Sequence, residues 1–341
     1  MQAIPYQKKG NAKALIVTDW PKPEIQEDEV LIEVKAFGLN YADIMARNGL
    51  YPDAPKFPFV PGYEVAGLVA ETGGQVTEYK KGDRVIGFTD FGGYAQYSKA
   101  SVMGTVKMPD EMSFTDAAAI PVNYATAYHA LFHTGLLIKG SRVLIHAAAG
   151  GVGLAAMQLA KLYECEIFAT AGSARKLALC KEMGAHYAIN YREEDFVKKV
   201  KMITNDQGVD IVLDSIGGST LKKDFEILRT NGRVAAFGVA SLSNRSLGTL
   251  FQTIPNVFDM LTISGIDLLS RSLGFYGINM KTIGDKNPAL LRASMDAVMK
   301  LFAENKLQSH VHKVFPWGEI AEAHELLESR KSTGKIVLTV D

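Results

Sequence analysis

The sequence predicts an α/β protein of two domains, a small β-barrel domain interrupted by a doubly wound parallel-sheet domain. Three observations carry that expectation. The 341 residues exceed what one core holds comfortably, since single cores stop growing at about 250 to 300 residues. The first hundred residues or so break into short strand-like runs, and the middle of the chain alternates apolar strands with amphipathic helices.

Taken in order, VLIEVKAFGLN, EVAGLVAETG, GDRVIGF and GGYAQYSKA are strand-like runs separated by Gly, Pro and acidic turns, the punctuation of a small barrel. The texture then changes: SFTDAAAIPVNYATAYHALFHTG is Ala-rich with helical spacing, and its Ser113 to Asp116 opening suits a helix cap. Strand candidates RVLIHAAA, EIFATAG, HYAINY, VDIVLDSIG and GRVAAFGV follow, separated by LAAMQLAKLY, RKLALCKEMG, EDFVKKVKMIT and LKKDFEILR. Nearly continuous apolar strands between amphipathic helices mean parallel βαβ units. From 241 to 285 the pattern fits no single template, and subunit or lid structure is expected there. PALLRASMDAVMKLFAENKL reads as a helix, and KIVLTV as a final strand that returns to the first domain. The expected boundaries are 1–122, 123–275 and 276–341, with the doubly wound domain inserted into the barrel domain.

Composition narrows the function classes. Hydrophobic residues make up 47% and charged residues 22%, which is ordinary globular usage. Lys plus Arg and Asp plus Glu are 37 each, so no net field draws the chain toward nucleic acid or an anionic membrane. The amino terminus lacks the apolar run of a signal peptide, and no stretch of about 18 apolar residues occurs, so a cytoplasmic protein with no membrane span is expected. Cys165 and Cys180 are too few and too far apart for a disulfide framework or a CxxC redox pair, and read as reduced packing residues.

The most informative segment is HAAAGGVGLAAMQLAK, which follows a strand and opens into a helix. In the dinucleotide fingerprint GxGxxG the second Gly lets backbone approach a pyrophosphate and the third permits close helix packing. Gly150 and Gly153 take those places, Ala148 stands at the first, and Gly151 and Val152 complete the turn. A helix amino terminus there offers unpaired N–H groups and a positive dipole end to a diphosphate. An NAD enzyme places an acidic residue about twenty residues further on, at the end of the second strand. This chain reads ATAGSARKLALCK, in which Ser173, Arg175 and Lys176 supply a hydroxyl and two cations that suit a 2′-phosphate. The expected cofactor is NADPH.

With GLNYADIMARNGLYP, PGYEVAG, GDRV, AAAIPVNYATAY, AAAGGVG, VDIVLDSIGG and SRKSTGKIVL assembled in this order, the chain resembles the zinc-independent quinone oxidoreductases of the medium-chain dehydrogenase/reductase superfamily. These include zeta-crystallin, and the vesicle amine transport protein branch looks nearest. The resemblance spans nearly the whole chain. It implies a GroES-like β-barrel catalytic domain and a Rossmann domain. It also implies cofactor contacts at Lys176, Tyr191 and Arg330 for the 2′-phosphate end, with Thr126 and Gly238 nearer the nicotinamide, and a homodimer that pairs edge strands, for which GRVAAFGV or the segment after it is the candidate.

The resemblance also frames the chemistry. Where zinc-dependent relatives have a Cys this chain has Asn40, and Tyr63 replaces a His. Catalytic zinc needs about three protein ligands, and His129, His133, His146, His186, His310 and His312 show no ligand spacing with a Cys or Glu partner. No metal is expected. Without a Lewis acid, delivery of hydride to an electron-poor acceptor is easier than alcohol oxidation. A quinone or an unsaturated carbonyl needs alignment and a hydrogen bond to the oxygen on which charge develops. Asn40, Tyr41, Tyr51 and Tyr63 lie in segments that line the cleft in this family, and Tyr128 is a further donor. Tyr51 corresponds to a proton-donating Tyr of enoyl-thioester reductases, and substrate positioning is its expected role here. The expected function is an NADPH-dependent quinone reductase. An enal, enone or enoyl-thioester reductase and a non-catalytic NADPH-binding structural or vesicle-associated protein stand as alternatives.

Overall fold

The eleven-residue strand Glu29–Leu39 organises the first unit, because its backbone serves three neighbours. The computed structural model describes residues 1–240 and 263–340. Along one edge Glu29–Leu39 pairs antiparallel with Glu64–Thr72. Along the other, Glu29 to Glu33 pair with Tyr97–Ser101, and Ala36 to Leu39 pair with Lys335–Thr339. A strand that changes partner midway lets one sheet curl around its own apolar face. The seven-stranded sheet runs Val311–Pro316, Lys335–Thr339, Glu29–Leu39, Glu64–Thr72, Arg84–Phe88, Thr105–Lys107, with Tyr97–Ser101 off this path. Val30, Ile32, Val34, Phe37 and Leu39 pack with Phe59, Tyr63, Val65, Tyr94 and Ile336 in the core of this unit. The terminal strand Lys335–Thr339 pairs within this sheet, and the first unit comprises Met1–Ala125 and Met280–Asp341.

The second unit, Thr126–Asn279, holds a six-stranded sheet in which every neighbouring pair is parallel. Its order is Tyr187–Asn190, Glu166–Ala171, Arg142–Ile145, Val209–Asp214, Leu228–Ala236, Gly274–Gly277. Numbered by appearance within the unit this is 3-2-1-4-5-6, the doubly wound order whose direction reverses between the first and fourth strands. Ligands in such sheets bind beyond the carboxyl ends at that reversal, which here falls beside Ile145 and Asp214. The core is apolar, with Leu144, Phe168, Ile189, Val212 and Val234 among its buried residues.

Three expectations need correction or completion. GRVAAFGV is not an edge strand, because Gly274–Gly277 pairs with its free side through Arg233↔Gly274 and Ala236↔Gly277. The sequence hid that strand: it is four residues long, bounded by glycines, and half-exposed at Phe275 and Tyr276, so it shows no alternation. The Ala-rich segment is not one helix. Ser113 caps a short helix Phe114–Ala117, Pro121 opens a second over Pro121–Tyr128, and His129–Thr134 winds as a π-turn. Of the segment 241–285, helices Gly265–Arg271 and Met280–Lys286 flank the added strand, while the lid or subunit reading of 241–262 lies outside the described residues. Among the described residues no helix is long and apolar enough to cross a membrane.

Candidate functional site

The second unit carries a glycine-rich turn at the reversal of its sheet. Strand Arg142–Ile145 ends one residue before the turn, and helix Gly151–Leu162 begins at its far side with Gly150 as N-cap and no side-chain cap. The first N–H groups of that helix therefore lack a side-chain acceptor, and they point where the glycines leave the backbone bare. A Cβ on Gly153 would sit 2.6 Å from Ala148 Cα, so only glycine lets the helix pack against the turn. Ala147 holds a left-handed φ of 47°, a strained conformation for a residue with a Cβ, and is exposed at the top of the turn. Ala148, Gly150, Gly151, Val152 and Gly153 thus form one continuous turn.

At the next strand, Glu166–Ala171 runs into Gly172 and Ser173 with no carboxylate following. Ser173 caps helix Ala174–Glu182 by accepting the Lys176 N–H at 3.5 Å, which leaves its hydroxyl proton to donate elsewhere. A Cβ on Gly172 would lie 2.6 Å from the Tyr191 hydroxyl oxygen and 3.0 Å from Arg192 Nε. Tyr191 is half-exposed just past strand Tyr187–Asn190 and folds its phenol back over Gly172. Ser173, Tyr191 and Arg192 thereby gather around one bare backbone position, with Lys176 one helical turn away. Arg192 went unnoticed in the sequence because nothing in INYREED marks it from the charges beside it. The residues present fit a nicotinamide dinucleotide: an uncapped helix start for the diphosphate, and hydroxyls and cations where a carboxylate would oppose a 2′-phosphate.

Thr126 is buried in the second half of Pro121–Tyr128, and Gly238 follows Leu228–Ala236, where a Cβ would meet the Ser215 carbonyl oxygen at 2.8 Å. Arg330 belongs to the first unit, exposed and in left-handed conformation with φ 56°, just past helix Ile320–Glu328.

In the first unit, Asn40 is buried at the start of helix Tyr41–Arg47 and its amide is engaged on both sides. Its Nδ2 donates to Glu64 Oε1 at 2.8 Å, and its Oδ1 accepts from Lys335 Nζ at 2.6 Å. Lys335 also ion-pairs with Glu64 Oε1, while Glu64 Oε2 accepts the Val122 N–H at 2.8 Å. Gly38 makes the room: a Cβ there would lie 2.6 Å from Lys335 Cε. Lys335 was missed because it opens a strand that otherwise reads as plain apolar core, KIVLTV.

Beside this cluster stand the phenols. Tyr51 and Tyr63 have ring centroids 5.9 Å apart, and Phe91 lies 4.8 Å from Tyr63. Tyr63 is buried, with its hydroxyl facing that of Tyr51. Burial, then the nearby Asp43 carboxylate and Tyr51, hold the Tyr63 phenol well above its ordinary pKa. Tyr51 is half-buried and also raised, by burial first and Asp53 second. Both remain protonated donors at any physiological pH. Asp43 is fully buried, accepts the Asn40 N–H at 2.8 Å, and is pushed up to about 7 by burial against the pull of that hydrogen bond and of Lys335. Lys281 pairs with Asp90 at 2.9 Å and sits 6.0 Å from the Phe91 ring. Tyr128 lies in the second unit, packed on Phe132 at 4.5 Å. Among the described residues no three His, Cys, Asp or Glu side chains converge as a metal-binding group.

Comparison with known proteins agrees with this division. Residues 26–110 match the family described as alcohol dehydrogenase GroES-like domain, and residues 151–275 match zinc-binding dehydrogenase. A Danio rerio synaptic vesicle membrane protein VAT-1 homolog is 35% identical over 94% of this chain and 66% of its own length, so this chain spans about two thirds of that relative. Homo sapiens quinone oxidoreductase is 32% identical over 99% of this chain and 97% of its own. Among solved structures, Escherichia coli quinone oxidoreductase complexed with NADPH superposes with TM-score 0.85 at 30% identity, covering 99% of this chain and 100% of the other. CurK enoyl reductase gives 0.85 at 30% identity, covering 100% and 99%.

Proposed function

We propose that this chain, which belongs to the quinone oxidoreductase and VAT-1 homologue branch of the medium-chain dehydrogenase/reductase superfamily, is an NADPH-dependent, zinc-independent reductase of quinones or similar electron-poor acceptors. The observation that carries the acceptor class is the Tyr51–Tyr63 pair: two phenols held in their donor form, Tyr63 backed by the Phe91 ring and Tyr51 left half-exposed. A planar acceptor stacks on such a wall, and its carbonyl oxygen finds a hydrogen-bond donor.

NADPH, when bound, supplies the hydride. The glycine turn and the start of Gly151–Leu162 receive the diphosphate, and Ser173, Lys176, Tyr191 and Arg192 favour the 2′-phosphate over a bare ribose. Thr126 and Gly238 are assigned to the nicotinamide end and Arg330 to the 2′-phosphate end, on family likeness. The half-buried Tyr51 hydroxyl donates to the carbonyl oxygen of the bound acceptor and keeps that bond as hydride arrives and charge grows there, while Tyr63 packs behind Tyr51. The proton that completes the hydroquinone comes from solvent. Asn40 acts by position: bound to Glu64 and Lys335, it fixes the start of Tyr41–Arg47. Glu64 is neutralised by the Lys335 ammonium and offers no free anionic oxygen to a metal, which supports the zinc-independent reading.

An NADPH-oxidation screen of the purified chain across quinones, enones and enoyl thioesters, with and without chelator, tests this. Quinone turnover unaffected by chelation is expected. Turnover of enoyl thioesters alone would favour the second reading, which the likeness to CurK enoyl reductase and the position of Tyr51 support. Cofactor binding without any turnover would favour a structural role. The homodimer is expected through Gly274–Gly277, the outermost strand of the sheet among the described residues.

A further inference from the structure

His146 follows the strand that feeds the glycine turn, and the hydride chemistry makes no use of it. It is 4% exposed, and every polar atom of its ring is engaged. Nε2 lies 2.8 Å from Asp224 Oδ1, at the end of helix Ser219–Asp224, and Nδ1 lies 2.9 Å from Thr170 Oγ1, near the end of Glu166–Ala171. Asp214 ends the strand on its other side, its carboxylate capped by the N–H groups of Ile216 and Gly217 at 2.6 and 3.1 Å. The Phe196 ring closes the pocket edge-on at 4.9 Å, and beyond that ring Lys223, paired with Asp195, lies on the exposed side. The charged groups facing the imidazole are thus two fully buried carboxylates. Asp224 Oδ2 is buried and meets no hydrogen-bond partner among the described residues.

This cluster is wired to the turn. Thr170, whose hydroxyl holds the imidazole, gives its carbonyl oxygen to the Ala148 N–H at 3.0 Å, and the His146 N–H bonds the Leu213 carbonyl at 3.1 Å. Between those two anchored residues lies Ala147 in its left-handed conformation. A strained residue persists only where its surroundings over-determine it, and here the surroundings are the backbone hydrogen bonds on either side, one of them through Thr170.

We propose that the Thr170–His146–Asp224 relay, with Asp214 beside it, holds the Ala147 turn in its diphosphate-receiving form and takes up a proton at Asp224 when the dinucleotide binds. This rests on the cofactor reading above. Near neutrality, with His146 protonated between them and both carboxylates ionised, the cluster carries one net negative charge directly behind the turn, and more once the imidazole loses its proton. A bound diphosphate makes that charge costlier, and a proton from the buffer on the unpartnered Asp224 Oδ2 cancels it. Burial pushes Asp224 up to about 7 against the pull of His146, so the exchange falls in the neutral range. Burial alone would lower His146, but the charge and hydrogen bond of Asp224 and the charge of Asp214 more than offset it. Cofactor binding raises the proton affinity of the cluster, so affinity must weaken as pH rises above that range.

Titration calorimetry of the full chain with NADPH, from pH 7 to pH 9 and in two buffers of different ionisation enthalpy, tests this. Over that range the 2′-phosphate, whose second pKa is about 6, exchanges little. Net proton uptake is expected, with Kd rising roughly fivefold across the range for charges about a nanometre apart. Asp224→Asn should flatten the dependence, while Thr170→Val should weaken binding at every pH and keep it. Binding without proton exchange, or an Asp224→Asn variant that keeps the slope, overturns the inference and leaves the cofactor reading intact. Absence of NADPH binding at any pH overturns both. The calorimetry on the unaltered chain decides the matter even if a variant fails to fold.

Discussion

Lys335, the first residue of the last strand, sets its ammonium on the buried carboxylate of Glu64, 271 positions away in the chain. Their side chains are 3% and 0% exposed, and Asn40 binds both. This charge pair organises the ground beside the phenols. Lys335→Met should therefore leave Glu64 as an uncompensated buried charge and cost about 3 to 5 kcal/mol. Denaturant midpoints check this, and adding Glu64→Gln to that variant should recover part of the loss.

The Tyr51 phenol is expected to position the acceptor rather than act as an essential acid. Tyr51→Phe should lower kcat/KM for a quinone by about 2- to 10-fold, the worth of one hydrogen bond, mainly through KM. Steady-state NADPH oxidation reads this out. Loss of turnover with NADPH binding intact would make Tyr51 the proton donor.

Around Gly172 the cations and hydroxyls are expected to set cofactor choice. Lys176→Ala should weaken NADPH by about 10- to 100-fold, as expected for a charge-assisted hydrogen bond. NADH binding should change little. Arg192→Ala should shift the same ratio in the same direction. Fluorescence titration with both dinucleotides checks it, and a measured preference for NADH in the unaltered chain would overturn the assignment.

Gly153 has a narrower role. In Gly153→Ala the new methyl would press on Ala148, so the helix must move away from the turn. Cofactor affinity should fall by more than tenfold, about 1.4 kcal/mol or more, while the barrel unit keeps its fold. Calorimetry and circular dichroism together separate the two effects.

Asp43 shapes stability against pH. Free aspartate ionises near about 3.9, whereas burial holds this one at about 7 in the folded chain. The unfolded chain thus gives up its proton first, and Asp43 subtracts stability as pH climbs from about 4 to about 7. Asp43→Asn should flatten that decline in urea denaturation measured across the window. An unchanged slope would mean that Asp43 ionises normally in the folded protein.

The cofactor half of the site was legible because its signals are local. Strand, glycine turn and helix are contiguous, and the absence of an acid after EIFATAG is read in one window. The acceptor half was legible only in part. Asn40, Tyr51 and Tyr63 stood out by likeness to a family, but the partners that fix them did not. Arg192 and the edge strand Gly274–Gly277 were hidden for a similar reason: their signals are a single charge and four residues without alternation.

By itself the sequence determined the alternation of strands and helices, the parallel sheet and the glycine turn, because periodicity and backbone permissiveness act over neighbouring residues. Only the tertiary structure decided that Lys335 neutralises Glu64, that Thr170 and Asp224 grip His146, and that Gly274–Gly277 covers GRVAAFGV. Those pairings join residues tens to hundreds of positions apart. What selects them is the cost of burying a charge or a backbone donor without a partner, and that cost exists only once the chain has folded.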